Sequence, residues 1–165
     1  MKNNYDSFPS WKWKTFNDGT LIDPEDFIKD HMDYMFFVGT DSQNYKRRGS
    51  KHTCFTSAIV AYKMGTGGLS IIHDDKTDFI ESLRQRLLME AMRSLECAWF
   101  MDQTLSEKNA ITIARPQIHL DVNTDHKHDS SRYRQELVGL ITAQGFEAVC
   151  KPYAWAASCL ADRRC

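Results

Sequence analysis

A buried strand that leads directly into a carboxylate constrains the fold of this chain more than any other feature. Residues 34–38 are continuously apolar and largely aromatic, which is typical of a strand covered on both faces. Gly39 and Thr40 then lead to Asp41, and residues 118–120 lead in the same way to Asp121. Burying an acid is costly unless a cation or hydrogen bonds compensate its charge. The two strands therefore predict paired carboxylates at one edge of a sheet, and with them a divalent metal site.

The composition indicates a single soluble domain with reduced thiols. With 165 residues, of which 42% are hydrophobic and 26% charged, the chain is long enough to bury one core. No stretch approaches the roughly 20 apolar residues that cross a bilayer, and no apolar signal segment opens the sequence. The cysteines are odd in number and form no C-x-x-C pair, which argues against a disulfide framework or a zinc ribbon and predicts a cytoplasmic location. They are Cys54, Cys97, Cys150, Cys159 and Cys165.

The charge balance argues against a pure nucleic-acid-binding module. The formal net charge is −1, whereas such modules are usually basic. A metal-dependent nuclease is less affected by this argument, because its acidic site offsets basic residues elsewhere. Basic residues do cluster locally, at 46–48 with Lys51 and His52, and again at Arg84, Arg86 and Arg93.

The pattern of apolar runs and turn residues predicts five strands and three helices in the order βββαβαβα. The first three strands form an antiparallel meander, with a polar loop from Ser42 to Lys51 and a hairpin turn at 65–68. Two αβ crossovers then add parallel strands, which gives an α/β fold with a mixed five-stranded sheet and helices on both faces. The predicted strands cover about residues 34–41, 53–63, 69–73, 117–123 and 146–151, and the predicted helices about residues 77–105, 131–144 and 153–164.

The first 32 residues are predicted to form an extension that packs on a domain of residues 33–165. Its closely spaced aromatic residues, among them Trp11 and Trp13, favour packing against the domain surface. Asp23 is the expected N-cap of a short helix, and Pro24 is its expected first residue.

The element order is that of the ribonuclease H-like fold, and the chain resembles the YkuK-type family of predicted ribonuclease H-like proteins. The resemblance reaches from about residue 34 to the C terminus. It implies the fold, and it implies a phosphodiesterase that uses two metal ions on RNA, RNA–DNA hybrid or structured DNA. The matching stretches are residues 38–43, 83–91, 120–123, 151–152, 155–158 and 161–163.

The resemblance also implies how the acids are used. Nucleases of this fold hold two divalent cations, Mg²⁺ or Mn²⁺, about 3.5–4 Å apart between carboxylates. Asp41 is then the bridging ligand, and Asp121 is the second ligand from the same sheet edge. Asp162, in the last predicted helix, is the fourth ligand; a surface ion pair with a neighbouring arginine is the alternative.

The third ligand comes from the long predicted helix. Its candidates are Glu81, Glu90 and Glu96. Position along the helix favours Glu81 if the helix begins at Thr77, whereas the motif match favours Glu90. We take Glu90 as the predicted ligand.

Residues around these acids are predicted to assist. His126 and His128 follow Asp121 in a polar loop, and an imidazole there is suited to proton transfer to the leaving group; we assign this role to His128. The predicted substrate-contacting residues are Ser42, Gln43, Lys46, Arg47, Arg86 and Asn123.

A different class of function stays open. A ribonuclease H-like module without catalysis, binding nucleic acid or a protein partner, is also compatible with the fold. Nothing in the sequence selects between RNA, DNA and hybrid, or fixes the oligomeric state.

Overall fold

The sheet of this protein has six strands, and its order is set by one long meander and two crossovers. The structure, a computed structural model, describes residues 10–107 and 115–156. In chain order the elements are β1 (Lys14–Thr15), α1 (Pro24–Asp30), β2 (Met35–Arg47), β3 (Ser50–Lys63), β4 (Gly67–Asp78), α2 (Leu83–Glu107), β5 (Gln117–Leu120), a 3₁₀ helix (Asp129–Tyr133), α3 (Arg134–Ala143) and β6 (Glu147–Cys150).

The strand order is β1-β4-β3-β2-β5-β6. Strands β2, β3 and β4 pair antiparallel, whereas β5 pairs in parallel with both β2 and β6. The predicted α/β class with a mixed sheet is therefore confirmed. The sixth strand, which the sequence did not predict, is β1, which pairs with Ile71 and Ile72 at the edge of β4. It belongs to the predicted extension, whose boundary at residue 33 stays a prediction.

The predicted polar loop from Ser42 to Lys51 is wrong. Strand β2 continues to Arg47 and pairs with β3 down to Ser50. The turn consists of Arg48 and Gly49 alone, with φ angles of 49° and 85°, as the favoured two-residue hairpin requires. The prediction failed because most side chains in the outer half of this hairpin are polar and exposed to solvent, as they would be in a loop.

The boundaries after the meander also differ from the prediction. Strand β4 continues through Asp78, with Thr77 opposite Thr53, so α2 begins at Leu83. The Ser82 side chain accepts a hydrogen bond from the amide of Gln85 at 3.3 Å, as a residue preceding a helix does. The predicted N-cap Asp23 of α1 is confirmed by its hydrogen bond from Glu25. Most of the last predicted helix lies outside the described residues.

The described helices all pack against one face of the sheet, so helices on both faces stay a prediction that depends on the last predicted helix. One buried cluster joins Phe27 and Ile28 of α1 to Val38 of β2 and Met101 of α2. A second cluster joins Ile118 and Leu120 of β5 to residues of α2 and α3. Because α2 takes part in both clusters, it fixes the positions of β2 and β5 relative to each other.

The hairpin turn gives a direct test of the long meander. A side chain at Gly49, whose φ is 85°, is strained, so we expect Gly49→Ala to lower the free energy of unfolding by about 1 kcal/mol. As a control, Gly139 is exposed within α3 and an added Cβ there has no atom within 4 Å. We expect Gly139→Ala to raise the free energy of unfolding by about 0.5–1 kcal/mol. Urea denaturation measures both, and a stabilised Gly49→Ala protein would contradict this turn.

Candidate functional site

Asp41 and Asp121 lie at the same level on neighbouring parallel strands. The last pair between β2 and β5 joins Gly39 to His119, and each aspartate is two residues beyond that pair. Since side chains alternate between the faces of a strand, both acids belong to the face that carries Gly39 and His119. The prediction that Asp41 ends its strand is wrong. Strand β2 continues beside β3 after β5 has ended.

Glu90 approaches from the helical face. Its carboxyl group is 5% exposed and accepts a 2.5 Å hydrogen bond from the Ser42 hydroxyl. Ser42 is the next residue after Asp41 in the strand, so its side chain points to the opposite face of the sheet, where α2 lies. Of the other two candidate glutamates, Glu81 is exposed and precedes α2. Glu96 lies about 9 Å further along α2 than Glu90. Glu90 is thus the acid of α2 that reaches β2 beside Asp41.

The charges of the three acids interact. Burial is the main cause that raises the pKa of Glu90 to about 8. The hydrogen bond from Ser42 and the charge of Arg86 oppose this pKa shift. The negative charges of Asp41 and Asp121 add to it. Glu90 is therefore mostly protonated at neutral pH.

The carboxylates do not converge on a single point. Within residues 10–107 and 115–156, no three His, Cys, Asp or Glu side chains are close enough together to hold a metal ion. Asp41 Oδ1 accepts a 2.8 Å hydrogen bond from the amide of Ser42. Asp121 is turned toward Lys151, and Glu90 toward Ser42. Side-chain rotation, or a further acid, is needed to form a complete ligand set.

Lys151 is the partner of Asp121. Its ammonium group forms an ion pair with the buried Oδ1 of Asp121, without the alignment of a good hydrogen bond. Its backbone amide donates to the carbonyl of Val122 at 3.1 Å, which fixes the end of β6 beside the end of β5. A cation thus already lies at the Asp121 carboxylate.

Arg86 is the predicted substrate residue closest to Glu90. Its Nη1 donates to the Ser42 hydroxyl at 3.2 Å. Its Nε is buried and has no hydrogen-bond partner among the described residues. A buried N–H without a partner is costly, so this guanidinium retains a donor for an anion.

The other predicted residues are spread more widely. Gln43 shares the face of Asp41, and the amide of Asn123 donates to Ser130 Oγ at 3.3 Å. Lys46 and Arg47 are about 17 Å or more along β2 from Asp41, at the tip of the hairpin. His128 is exposed in the loop after Asp121, and its catalytic role stays a prediction. Asp162 lies outside the described residues.

The sequence analysis missed His119. It is 2% exposed, and its Nδ1 accepts a 3.1 Å hydrogen bond from the amide of Ala156. Burial lowers its pKa to about 4, so the ring is neutral. It also contacts Phe37 and Trp155, with ring centroids 5.0 and 5.4 Å away. His119 therefore attaches the segment of Trp155 and Ala156 to the strand that leads to Asp121. The sequence feature that could have revealed this residue is a histidine within an otherwise apolar strand.

Asp74 was not expected in a strand, because the third predicted strand ends at about residue 73. It lies within β4, opposite Thr56 of β3, which is itself opposite Asp41. The Thr56 hydroxyl donates to Asp74 at 2.9 Å, and Lys14 forms a 2.6 Å ion pair with it. The face of Asp41 therefore carries a further acid two strands away, with its charge compensated.

Comparison with known proteins gives one positive result. A family model described as ribonuclease H-like matches residues 22–165. No curated protein and no solved structure matches the chain. No helix of the described residues is long and apolar enough to cross a membrane.

The raised pKa of Glu90 predicts how stability depends on pH without divalent metal. The folded state keeps this proton up to about pH 8, whereas the unfolded chain releases it near the ordinary glutamate pKa of 4.5. Rising pH therefore favours the unfolded state between these values, by up to about 1.4 kcal/mol per pH unit. We expect Glu90→Gln to remove this part of the slope when urea denaturation is measured in chelator from pH 5 to 8.

The matched control is Glu81→Gln, at an exposed glutamate just before α2. It should unfold with the same pH dependence as the parent. Parallel curves for the parent and Glu90→Gln would show that the Glu90 carboxyl is not held protonated.

Proposed function

Because the chain belongs to the ribonuclease H-like family, we propose that it is a metal-dependent nuclease that hydrolyses phosphodiester bonds in RNA, RNA–DNA hybrid or structured DNA. One observation supports this most strongly. Asp41 and Asp121 share one level of adjacent parallel strands, and the buried carboxyl of Glu90 is coupled to both charges. Ligands bind at the carboxyl ends of parallel strands in α/β folds.

The donor chemistry fits Mg²⁺ or Mn²⁺. Both ions prefer carboxylate oxygens, and the negative charges of Asp41 and Asp121 contribute, after burial, to the raised pKa of Glu90. Asp41, Glu90 and Asp121 are the proposed ligands of two ions, with Asp162 as the proposed fourth. When bound, such ions supply an activated water and neutralise charge at the phosphodiester.

The surrounding residues prepare these ligands. Glu90 has to lose its proton before it ligates, and the Ser42 hydroxyl stabilises the ionised form and fixes its direction. Lys151 holds Asp121 at the sheet edge and has to withdraw from it. Arg86, whose Nε has no hydrogen-bond partner among the described residues, is proposed to donate to a phosphate oxygen beside Ser42.

The remaining substrate contacts are more distant. Lys46 and Arg47, at the hairpin tip, are proposed to hold the nucleic-acid backbone well away from the reacting phosphate. Gln43 and Asn123 flank the two aspartates along the chain and are proposed to contact the nucleotide at the site. His128 is proposed as the proton donor to the leaving oxygen.

A second function is favoured by the way the acids are compensated. Asp121 has Lys151 as its partner, and Glu90 accepts a hydrogen bond from Ser42, so side chains of the protein itself already contact both acids. A module that binds nucleic acid without cutting it needs no more than this. Such a module keeps salt-dependent binding but has no metal-dependent cleavage.

The proposed activity is tested with labelled hybrid, single-stranded RNA and branched DNA substrates. We expect cleavage that requires Mg²⁺ or Mn²⁺ and falls by about 100-fold or more in Asp41→Asn and Asp121→Asn. Asp33→Asn is the control, since that acid forms an exposed ion pair with Lys63 outside the site. Binding measured beside cleavage separates the two candidate functions, and cleavage that survives in both site variants would refute the nuclease.

The ion pair of Lys151 predicts competition with metal. We expect Lys151→Met to raise the affinity for Mn²⁺ by roughly threefold to tenfold, because the metal no longer displaces an ammonium group from Asp121. Lys63→Met removes the same charge from the exposed pair with Asp33 and should leave the affinity unchanged. Calorimetric titration measures both variants, and a weaker affinity in Lys151→Met would contradict competition.

A further inference from the structure

A polar cavity lies beside the loop that follows Asp121. It has a volume of about 370 Å³ and is formed by that loop, the end of the 3₁₀ helix and the start of α3. Small-molecule sites begin at roughly 300 Å³, so there is room for a phosphate with its attached sugar. Among the described residues, its lining contains two arginines and a histidine but no acid: Thr124, His126, Ser131, Arg132, Arg134 and Gln135.

The two arginines differ in their partners. The Arg134 side chain is exposed and forms no hydrogen bond or ion pair within the described part of the chain. Arg132 donates from Nη2 to the Asp129 carboxylate at 2.8 Å and from Nε to the Asp129 carbonyl at 3.1 Å. That ion pair is largely exposed and therefore weak, so the guanidinium is available to a stronger anion.

The acids around the cavity have partners other than Arg134. On α3, Glu136 forms an ion pair with Arg84 of α2. In the loop, Asp125 accepts a hydrogen bond from the amide of Lys127 at 3.1 Å, and Asp129 has Arg132 as its partner. None of these acids forms an ion pair with Arg134 within the described part of the chain, so the Arg134 guanidinium keeps its donors for an anion.

The cavity is held close to the proposed site. Thr124 is three residues after Asp121, so their Cα atoms are at most about 11 Å apart. The loop that follows Asp121 folds back on itself. The amide of Asn123 donates to Ser130 Oγ at 3.3 Å, and the amide of Ser131 donates to the carbonyl of His128 at 3.0 Å. A nucleic-acid strand that passes Asp121 thus has a second anion-binding position within one or two nucleotides.

We propose that this cavity binds a phosphate group of the nucleic-acid substrate, with Arg134 and Arg132 as its main donors and His126, Ser131 and Gln135 as further donors around them. This inference rests on the proposed function, since it extends the same substrate by one contact. The phosphate is either an internal phosphodiester or a terminal monophosphate, and the second case makes the enzyme act from strand ends. Arginine is well suited to both because its planar group donates two parallel hydrogen bonds to phosphate.

Oligonucleotide binding without cleavage tests the cavity. Fluorescence anisotropy in chelator compares single strands that carry a 5′-phosphate, a 3′-phosphate or neither. We expect Arg134→Gln to weaken binding by about tenfold and to lower the slope of log affinity against log salt by about one. Arg132→Gln should act in the same direction with a smaller effect, since Asp129 already engages this residue. Lys29→Gln, which removes one charge from α1, is the control.

The three oligonucleotides distinguish the source of the phosphate. An equal loss with all three identifies an internal phosphodiester, and a loss confined to one phosphorylated end identifies a terminal monophosphate. Binding by Arg134→Gln that equals the Lys29→Gln control, or no binding by the parent, would overturn the proposal. Because no metal is present, these results do not depend on cleavage, and a nuclease with an unaffected Arg134→Gln variant would refute the cavity alone.

Discussion

The parallel pairing of β2 with β5 is the interaction on which the candidate site depends. It ends at Gly39 and His119, and this register brings Asp41 and Asp121 to one level of the sheet. A shift of a single residue would turn one of the acids to the opposite face. The apolar residues of α2 hold this register, since they pack against both strands in the two buried clusters.

Charge compensation explains how such an edge is tolerated in the folded protein. Lys151 forms an ion pair with Asp121, and Ser42 donates a hydrogen bond to Glu90. Glu90 keeps its proton, which avoids the free-energy cost of burying a third negative charge. In the proposed function, a divalent cation has to displace the Lys151 ammonium group from Asp121 and the proton from Glu90. In the proposed function, stability and metal binding depend on the same Glu90 carboxyl group, and Arg86, Arg132 and Arg134 are the proposed contacts to the substrate.

The sequence predicted those parts of the structure that depend on local pattern. The apolar runs predicted the strand order and the position of Asp41 and Asp121 at one edge of the sheet. The resemblance favoured Glu90 over Glu81 as the helix ligand. The start of α2 at Leu83 supports that choice, since Glu81 falls before the helix. Long-range contacts were not predictable in this way: the polar stretch 42–51 reads as a loop but pairs as strands, and the partnership of Lys151 with Asp121 depends on β6 lying beside β5.

The most direct test counts the protons released when Mn²⁺ binds. Calorimetric titration at pH 7 in two buffers of different ionisation enthalpy gives this number, because each released proton adds the heat of the buffer that takes it up. A Glu90 pKa of about 8 predicts release of nearly one proton by the parent protein. In Glu90→Gln we expect this release to disappear and binding to weaken. Saturable binding without proton release, or no binding by the parent, would contradict a metal site that includes Glu90.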